Sequence, residues 1–189
     1  MPELVHEHNG LIVRIANPAH IQSLLALQQN FHQYTKRDDD HLFLFSINND
    51  PFSQSDLENI INRDECVIVQ KEEEVVGYML IDNCSETQGL KDHLKCISIL
   101  TEDEMLDPET RWAPRFAELF NPEFKNLDLS WVMISMLVYI CKEKYDAVFS
   151  GIFTNQELLI ERINLGWKIA HDNGMYFFLV WEMNRPDPN

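Results

Sequence analysis

Residues 131–141, WVMISMLVYIC, form an uncharged run set between two extended stretches, RFAELF at 115–120 and AVFSGI at 147–152. A helix that crosses a membrane needs about 20 consecutive apolar residues, so this run belongs in a protein core. The loop ahead of it carries Asn121, Pro122 and Asn126, residue types that end one element and open the next. Strand, loop, buried helix, strand is the α/β arrangement that turns backbone N–H groups and the positive end of a helix toward an anionic ligand.

What such a ligand can be is limited by charge. Fifteen Lys and Arg against thirty-one Asp and Glu leave a formal net charge of −16, a field that repels phosphate backbones and anionic lipid surfaces. Nucleic acid and membrane are therefore not expected partners. The apolar fraction, 45% with 11% aromatic, is that of a folded globular chain, and 189 residues suit one domain. Cys66, Cys84, Cys96 and Cys141 contain no C-x-x-C pair, so reduced thiols and a cytoplasmic setting are expected. The first ten residues, MPELVHEHNG, lack the basic and apolar regions of a signal peptide. Neither KRDDD at 36–40 with His41 nor the alternating pair His6 and His8 has the spacing of a metal site. His6 and His8 fit an edge strand instead.

Periodicity orders the rest. A strand at 11–15 leads to a helix opened by Asn17 and Pro18 and continuing to about Tyr34. A second helix is predicted through Arg63, capped by Ser55 or Asp56. A hairpin follows, CVIV at 66–69 and VVGYMLID at 75–82, with Gly77 marking a bulge or a close backbone approach. Residues 83–112 read as an insertion, with a strand at 95–100 and an acidic loop or short helix at 101–110. Residues 155–165 form a short helix closed by Gly166 in a left-handed cap, and 167–183 form a second hairpin ahead of a frayed tail at 184–189.

Two motifs give this order a name. TNQELLIERINLGW at 154–167 resembles the segment N-x-x-S-x-x-L-Y-x-K-L-G-F of the Gcn5-related N-acetyltransferase (GNAT) superfamily, matching at Asn155, Leu165, Gly166 and the aromatic Trp167. ELFNPEFKNLDLS at 118–130 resembles that family's strand and V-x-P-x-Y-R-G-K-G-I-G loop, matching at Pro122, Phe124 and Lys125. The hairpin at 67–82 is also typical of the family.

The resemblance implies an α+β, GNAT-like fold with a mixed central sheet flanked by helices, spanning residues 1–189 as one domain. It implies acetyl-CoA or another acyl-CoA as co-substrate, no metal, and a small-molecule or peptide amine as acceptor, and it admits a homodimer. The acyl-CoA would be bound by Leu119, Phe120, Lys125, Asn126, Leu127, Asp128, Leu129, Ser130 and Asn155, with backbone N–H groups on its pyrophosphate. Glu118, a carboxylate between apolar strand neighbours, is the candidate general base, and burial is expected to raise its pKa. Cys141 reads as core packing.

The chain departs from the family pattern at three places. Asp128 and Ser130 replace the small residues of Q/R-x-x-G-x-G/A, and Asp128 as helix N-cap would occupy the N–H groups that a pyrophosphate needs. Arg162 stands where the family often has a tyrosine that protonates the leaving thiolate. Arginine has no accessible neutral form, so it either contacts an anionic group or is an exposed arginine on an amphipathic helix. Two readings follow, an N-acyltransferase and a GNAT-like binding module that has lost CoA.

Overall fold

Residues 112–120 (WAPRFAELF) form one extended stretch that pairs to one side before Pro114 and to the other side after it. The structure is a computed structural model that describes residues 5–35, 51–153, 156–172, 174 and 176–183. In chain order its elements are β1 (Val5–His8), β2 (Leu11–Ile15), a 3-10 turn (Pro18–His20), α1 (Ile21–Thr35), α2 (Gln54–Asn62), β3 (Cys66–Lys71), β4 (Glu74–Asp82) and α3 (Gln88–Glu102). Then come β5 (Trp112–Ala113), β6 (Arg115–Phe120), α4 (Leu127–Cys141), β7 (Ala147–Phe153), α5 (Gln156–Asn164), β8 (Lys168–Asp172) and β9 (Tyr176–Glu182).

The strands form two sheets, ordered β1-β2-β3-β4-β6 and β5-β7-β9-β8. β5 runs parallel to β7, with Trp112 opposite Ala147, whereas β6 runs antiparallel to β4, from Asp82↔Arg115 to Gly77↔Phe120. Pro114 stands at the exchange and has no N–H to give either ladder. β6 and β7 therefore lie next to each other in different sheets, with no ladder joining them among the described residues, and the seam between them is the β6/β7 cleft.

Alternation along β6 divides the core. Phe116 and Phe120 join Leu129, Met133, Ile134, Leu137 and Cys141 of α4 in one cluster. Leu119, with Ala117 at its margin, faces Leu24, Leu57, Ile60 and Ile61 of α1 and α2. The second sheet divides likewise, Val148 and Leu179 facing the α4 side and Phe149 and Phe178 facing Leu100 of α3. This is the period-2 burial of sheets covered on both faces. No helix among the described residues is long and apolar enough to cross a membrane.

Several expectations are met in register. Asn17 caps the turn at Pro18, β1 carries His6 and His8, and Gly166 adopts φ +89° after α5. Gly77 answers to both readings, because the ladder shifts register opposite Val69 and Gln70. A Cβ there would also lie 2.4 Å from Cδ1 of Phe120.

Two expectations are corrected. The cap of α2 is Ser53, with the Asp56 carboxylate accepting from the Ser53 N–H as the other half of a capping box. Residues 95–100 are helical within α3. Their β-branched residues suggested a strand, but Thr87 caps the helix, and Ile97 and Leu100 pack against the second sheet. Residues 36–41 and 184–189 lie outside the described residues.

α3 also buries His93, whose Nδ1 lies 2.7 Å from the Gly89 carbonyl and whose ring edge meets Phe149. The carbonyl accepts, so Nδ1 carries the proton and Nε2 is left without a partner among the described residues. Burial pushes its pKa from 6.5 down to about 4, against the help of that carbonyl. An unfolded chain takes up this proton near pH 6.5, so stability present above that pH is lost as pH falls toward 4. The loss amounts to about 3 kcal/mol. Urea unfolding between pH 4 and 7 should show this slope, and His93→Leu should flatten it.

Candidate functional site

The N-terminus of α4 opens beside the end of β6. Asn121 donates its N–H to Val76 O at 2.8 Å, and Phe124 N–H bonds Asn121 O at 3.0 Å, so a turn carries the chain over the strand end. Asn126 then caps the helix, its side chain accepting from Leu129 N–H at 2.8 Å and its carbonyl from Ser130 N–H at 3.0 Å. Among the described residues the N–H groups of Leu127 and Asp128 have no acceptor. Two open donors at a positive helix end are suited to an anion.

The expectation that Asp128 caps the helix is therefore overturned, since the neutral Asn126 does so. Asp128 is exposed in the first turn, where its charge favours the helix dipole without covering the amides. Ser130 is fully buried, and its Oγ has no hydrogen-bond partner among the described residues. Leu127 is 40% exposed at the mouth, whereas Leu129 packs inside. Phe120 lies over Gly77. Leu119 faces the α1 and α2 side, away from α4, so only its backbone is on the cleft strand. Asn155 lies outside the described residues.

On the same face of β6 as Phe116 and Phe120, Glu118 is buried and held by two cations. Arg162 reaches it with both terminal nitrogens, at 2.9 Å and 3.1 Å, and Lys125 Nζ lies 3.2 Å from Oε1. Burial alone would raise the carboxyl, but the charges and hydrogen bonds of Arg162 and Lys125 outweigh it and hold the pKa below 4.5. The expectation of a raised pKa is thus overturned, and Glu118 is a weak base in this arrangement.

The reading of Arg162 as exposed is also corrected, for its side chain is 3% accessible. It lies over the Phe116 ring at 4.9 Å and the Trp167 ring at 5.7 Å. Its backbone is fixed by the end of α5, where Trp167 N–H bonds Arg162 O at 3.0 Å and Gly166 N–H bonds Ile163 O at 2.9 Å. That is a Schellman cap, and the contact usually made there by two apolar side chains is made by guanidinium on indole. One sequence signal was available, since Arg162 falls three residues after Leu159 and three before Leu165, inside the apolar stripe. Glu161, which pairs with Lys125 at 3.0 Å, had no such signal. Cys141 is buried in the core cluster, and burial pushes its thiol up to about 12. Among the described residues no three His, Cys, Asp or Glu side chains are grouped to hold a metal ion.

No family model and no curated protein matches the sequence. Solved structures do. A GNAT-family acetyltransferase from Listeria monocytogenes superposes with a TM-score of 0.60 at 15% identity, covering 95% of this chain and 99% of that one. The yncA protein of Salmonella typhimurium, solved with its cofactor acetyl-CoA, gives 0.59 at 11% identity over 95% and 97%. The ribosomal-protein-S5-alanine acetyltransferase of Vibrio fischeri gives 0.58 at 9% over 97% and 100%. The chain thus has the mixed α+β GNAT fold of the acyl-CoA N-acyltransferases.

Removing Arg162 leaves a buried carboxylate with one mobile cation. Arg162→Met should cost about 3–5 kcal/mol at neutral pH, read by urea unfolding. Adding Glu118→Gln should recover part of the loss in a double-mutant cycle. Because the folded pKa of Glu118 is depressed, the pair's contribution is present above pH 4.5 and vanishes as pH falls through the lowered value.

Proposed function

We propose that the protein is a GNAT-type N-acyltransferase that moves an acetyl or other acyl group from an acyl-CoA to an amine of a small molecule or peptide. The observation that carries this reading is the pair of open N–H groups on Leu127 and Asp128 at the mouth of the β6/β7 cleft, with a neutral residue as cap. A pyrophosphate would lie against those donors and near Lys125, and the acyl-pantetheine arm would follow β6 into the cleft beside Glu118. The yncA structure, which carries acetyl-CoA on the same fold, supports this reading.

In the reaction the amine nitrogen attacks the thioester carbon, a C–N bond forms, the C–S bond breaks and CoA leaves as a thiolate. With Glu118 held at low pKa, its carboxylate orients the amine, or the water that carries off the amine's proton, and most of the acceleration comes from proximity. Arg162 is a permanent cation, so the thiolate takes its proton from solvent. A cytoplasmic enzyme built as one domain over residues 1–189, with 83–112 as an insertion, is the setting this reading assumes.

Isothermal calorimetry and thermal shift with acetyl-CoA and longer acyl-CoAs test the proposal. Binding is expected, weakening at high salt because phosphates and Lys125 are involved. Asp128→Asn should tighten it by roughly threefold to tenfold by removing a like charge near the phosphates. Should no acyl-CoA bind, the non-catalytic module suggested by Asp128, Ser130 and Arg162 takes the place of the enzyme.

A further inference from the structure

The two cations on Glu118 are held very differently. Arg162 is 3% accessible, lies over two aromatic rings and belongs to a capped helix end. Lys125 is 17% accessible, stands in the loop one residue before the helix cap, and bridges Glu118 at 3.2 Å and Glu161 at 3.0 Å. Glu161 is itself 26% accessible. Of the two cations Lys125 is the more accessible, and the flexible four-carbon stem of lysine lets its charge change partners. A second cation, Lys71, stands over the Phe124 ring at 5.1 Å, so the loop has another positive charge near its turn.

We infer that Lys125 is an exchangeable latch, its ammonium covering Glu118 Oε1 in the ligand-free chain and leaving it for the phosphates of a CoA bound at the α4 N-terminus. The inference rests on the acyl-CoA reading of the site. A lysine ammonium has three donors and two of them are engaged by Glu118 and Glu161, so a pyrophosphate bound a few residues further along the chain competes with the two carboxylates for the same charge. When the ammonium leaves, Arg162 still holds Glu118 in place, while Oε1 gains an open lone pair toward the cleft and the carboxylate becomes more basic. The charged groups near Glu118 among the described residues are Arg162 and Glu161 of α5 and Lys125 of the loop. Of these only Lys125 has both the exposure and the chain position to move.

The test reads Glu118 directly. Carboxyl-labelled glutamate in the full chain, with the Glu118 signal assigned through Glu118→Gln, is titrated by NMR with and without CoA. Wild-type protein should show the Glu118 apparent pKa rising on CoA binding by about one unit, a tenfold change in proton affinity. Lys125→Met should show the higher value already in the free protein and no further rise with CoA. It should also bind CoA roughly tenfold more weakly, as expected for a lost charge-assisted contact. Lys125→Arg should bind CoA yet release Glu118 less completely, since a guanidinium can span both partners. CoA that binds while leaving the Glu118 titration unmoved, or a Lys125→Met protein whose free Glu118 titrates as in wild type, overturns the latch and leaves the acyl-CoA site standing. Failure of CoA to bind any of these proteins overturns the acyl-CoA reading itself, and the latch with it.

Discussion

Pro114 is the constraint from which the architecture follows. Before it, the strand pairs with β7, and after it, with β4. A residue without an N–H can sit at such an exchange without leaving a donor unpaired. Because the exchange falls at the start of β6, the sheets are joined at one end and apart at the other. The joined end is cross-linked by polar side chains. Buried Glu65, just ahead of β3, takes Arg63 at 2.8 Å, the Tyr145 hydroxyl at 2.9 Å and Lys144 at 3.5 Å. Asn83, after β4, reaches the same hydroxyl. Arg111 and Asp146 tie the starts of β5 and β7 through side chains and backbone. Among the described residues no such cross-link joins the ends of β6 and β7.

Two arginines show how one strand serves both structure and site. Arg115 and Glu118 point to opposite faces of β6. On the first face Arg115 bonds Asp82 and Thr87 and lies over Phe52, while Asp82 also accepts from Ser85. That network closes on itself and links the ends of β4, the loop to α3 and the start of β6. On the other face Glu118 is held by one buried and one partly exposed cation. A buried ion pair is weak evidence for stability, because desolvation offsets most of the attraction. The Arg115 pair is nonetheless intelligible as a join between elements, whereas the Glu118 group, through Lys125, adjoins the loop ahead of α4 where the proposed acyl-CoA would bind.

Much of this was readable in the chain. The uncharged run at 131–141 and the extended stretch at 115–120 marked α4 and β6 because both are buried along most of their length, so their apolar residues run nearly without interruption. Gly166 was legible because its left-handed backbone suits no other residue so well. Residues 95–100 were misread because β-branched side chains favour strands locally, while the helix is set by a cap eight residues earlier and by packing on a distant sheet. The helix caps were displaced by two or three residues, from Ser55 or Asp56 to Ser53 and from Asp128 to Asn126, since in each region several residues are competent caps and only the turn geometry chooses. The electrostatics of Glu118 were not legible at all. Its sign depends on Arg162, 44 residues away in sequence, and on whether that arginine lies inside or outside.

The replacement of an acid by Arg162 also alters what such a site is asked to do. A phenol can donate a proton to a leaving group, whereas a guanidinium supplies only charge and geometry. In the proposed reaction the leaving group is a thiol, whose free pKa near 8.5 makes its thiolate a tolerable species at neutral pH, so proton donation is the function that can be given up at least cost. Receiving and orienting the amine is the harder requirement, and Arg162 is placed to serve it by fixing the carboxylate that the amine would meet. Its burial between Phe116 and Trp167 follows from the same need, because a cation meant to hold one carboxylate must be kept from water and from other anions. The Schellman cap at Gly166 supplies that restraint, which links the family-like L-G-aromatic end of α5 to the chemistry of β6.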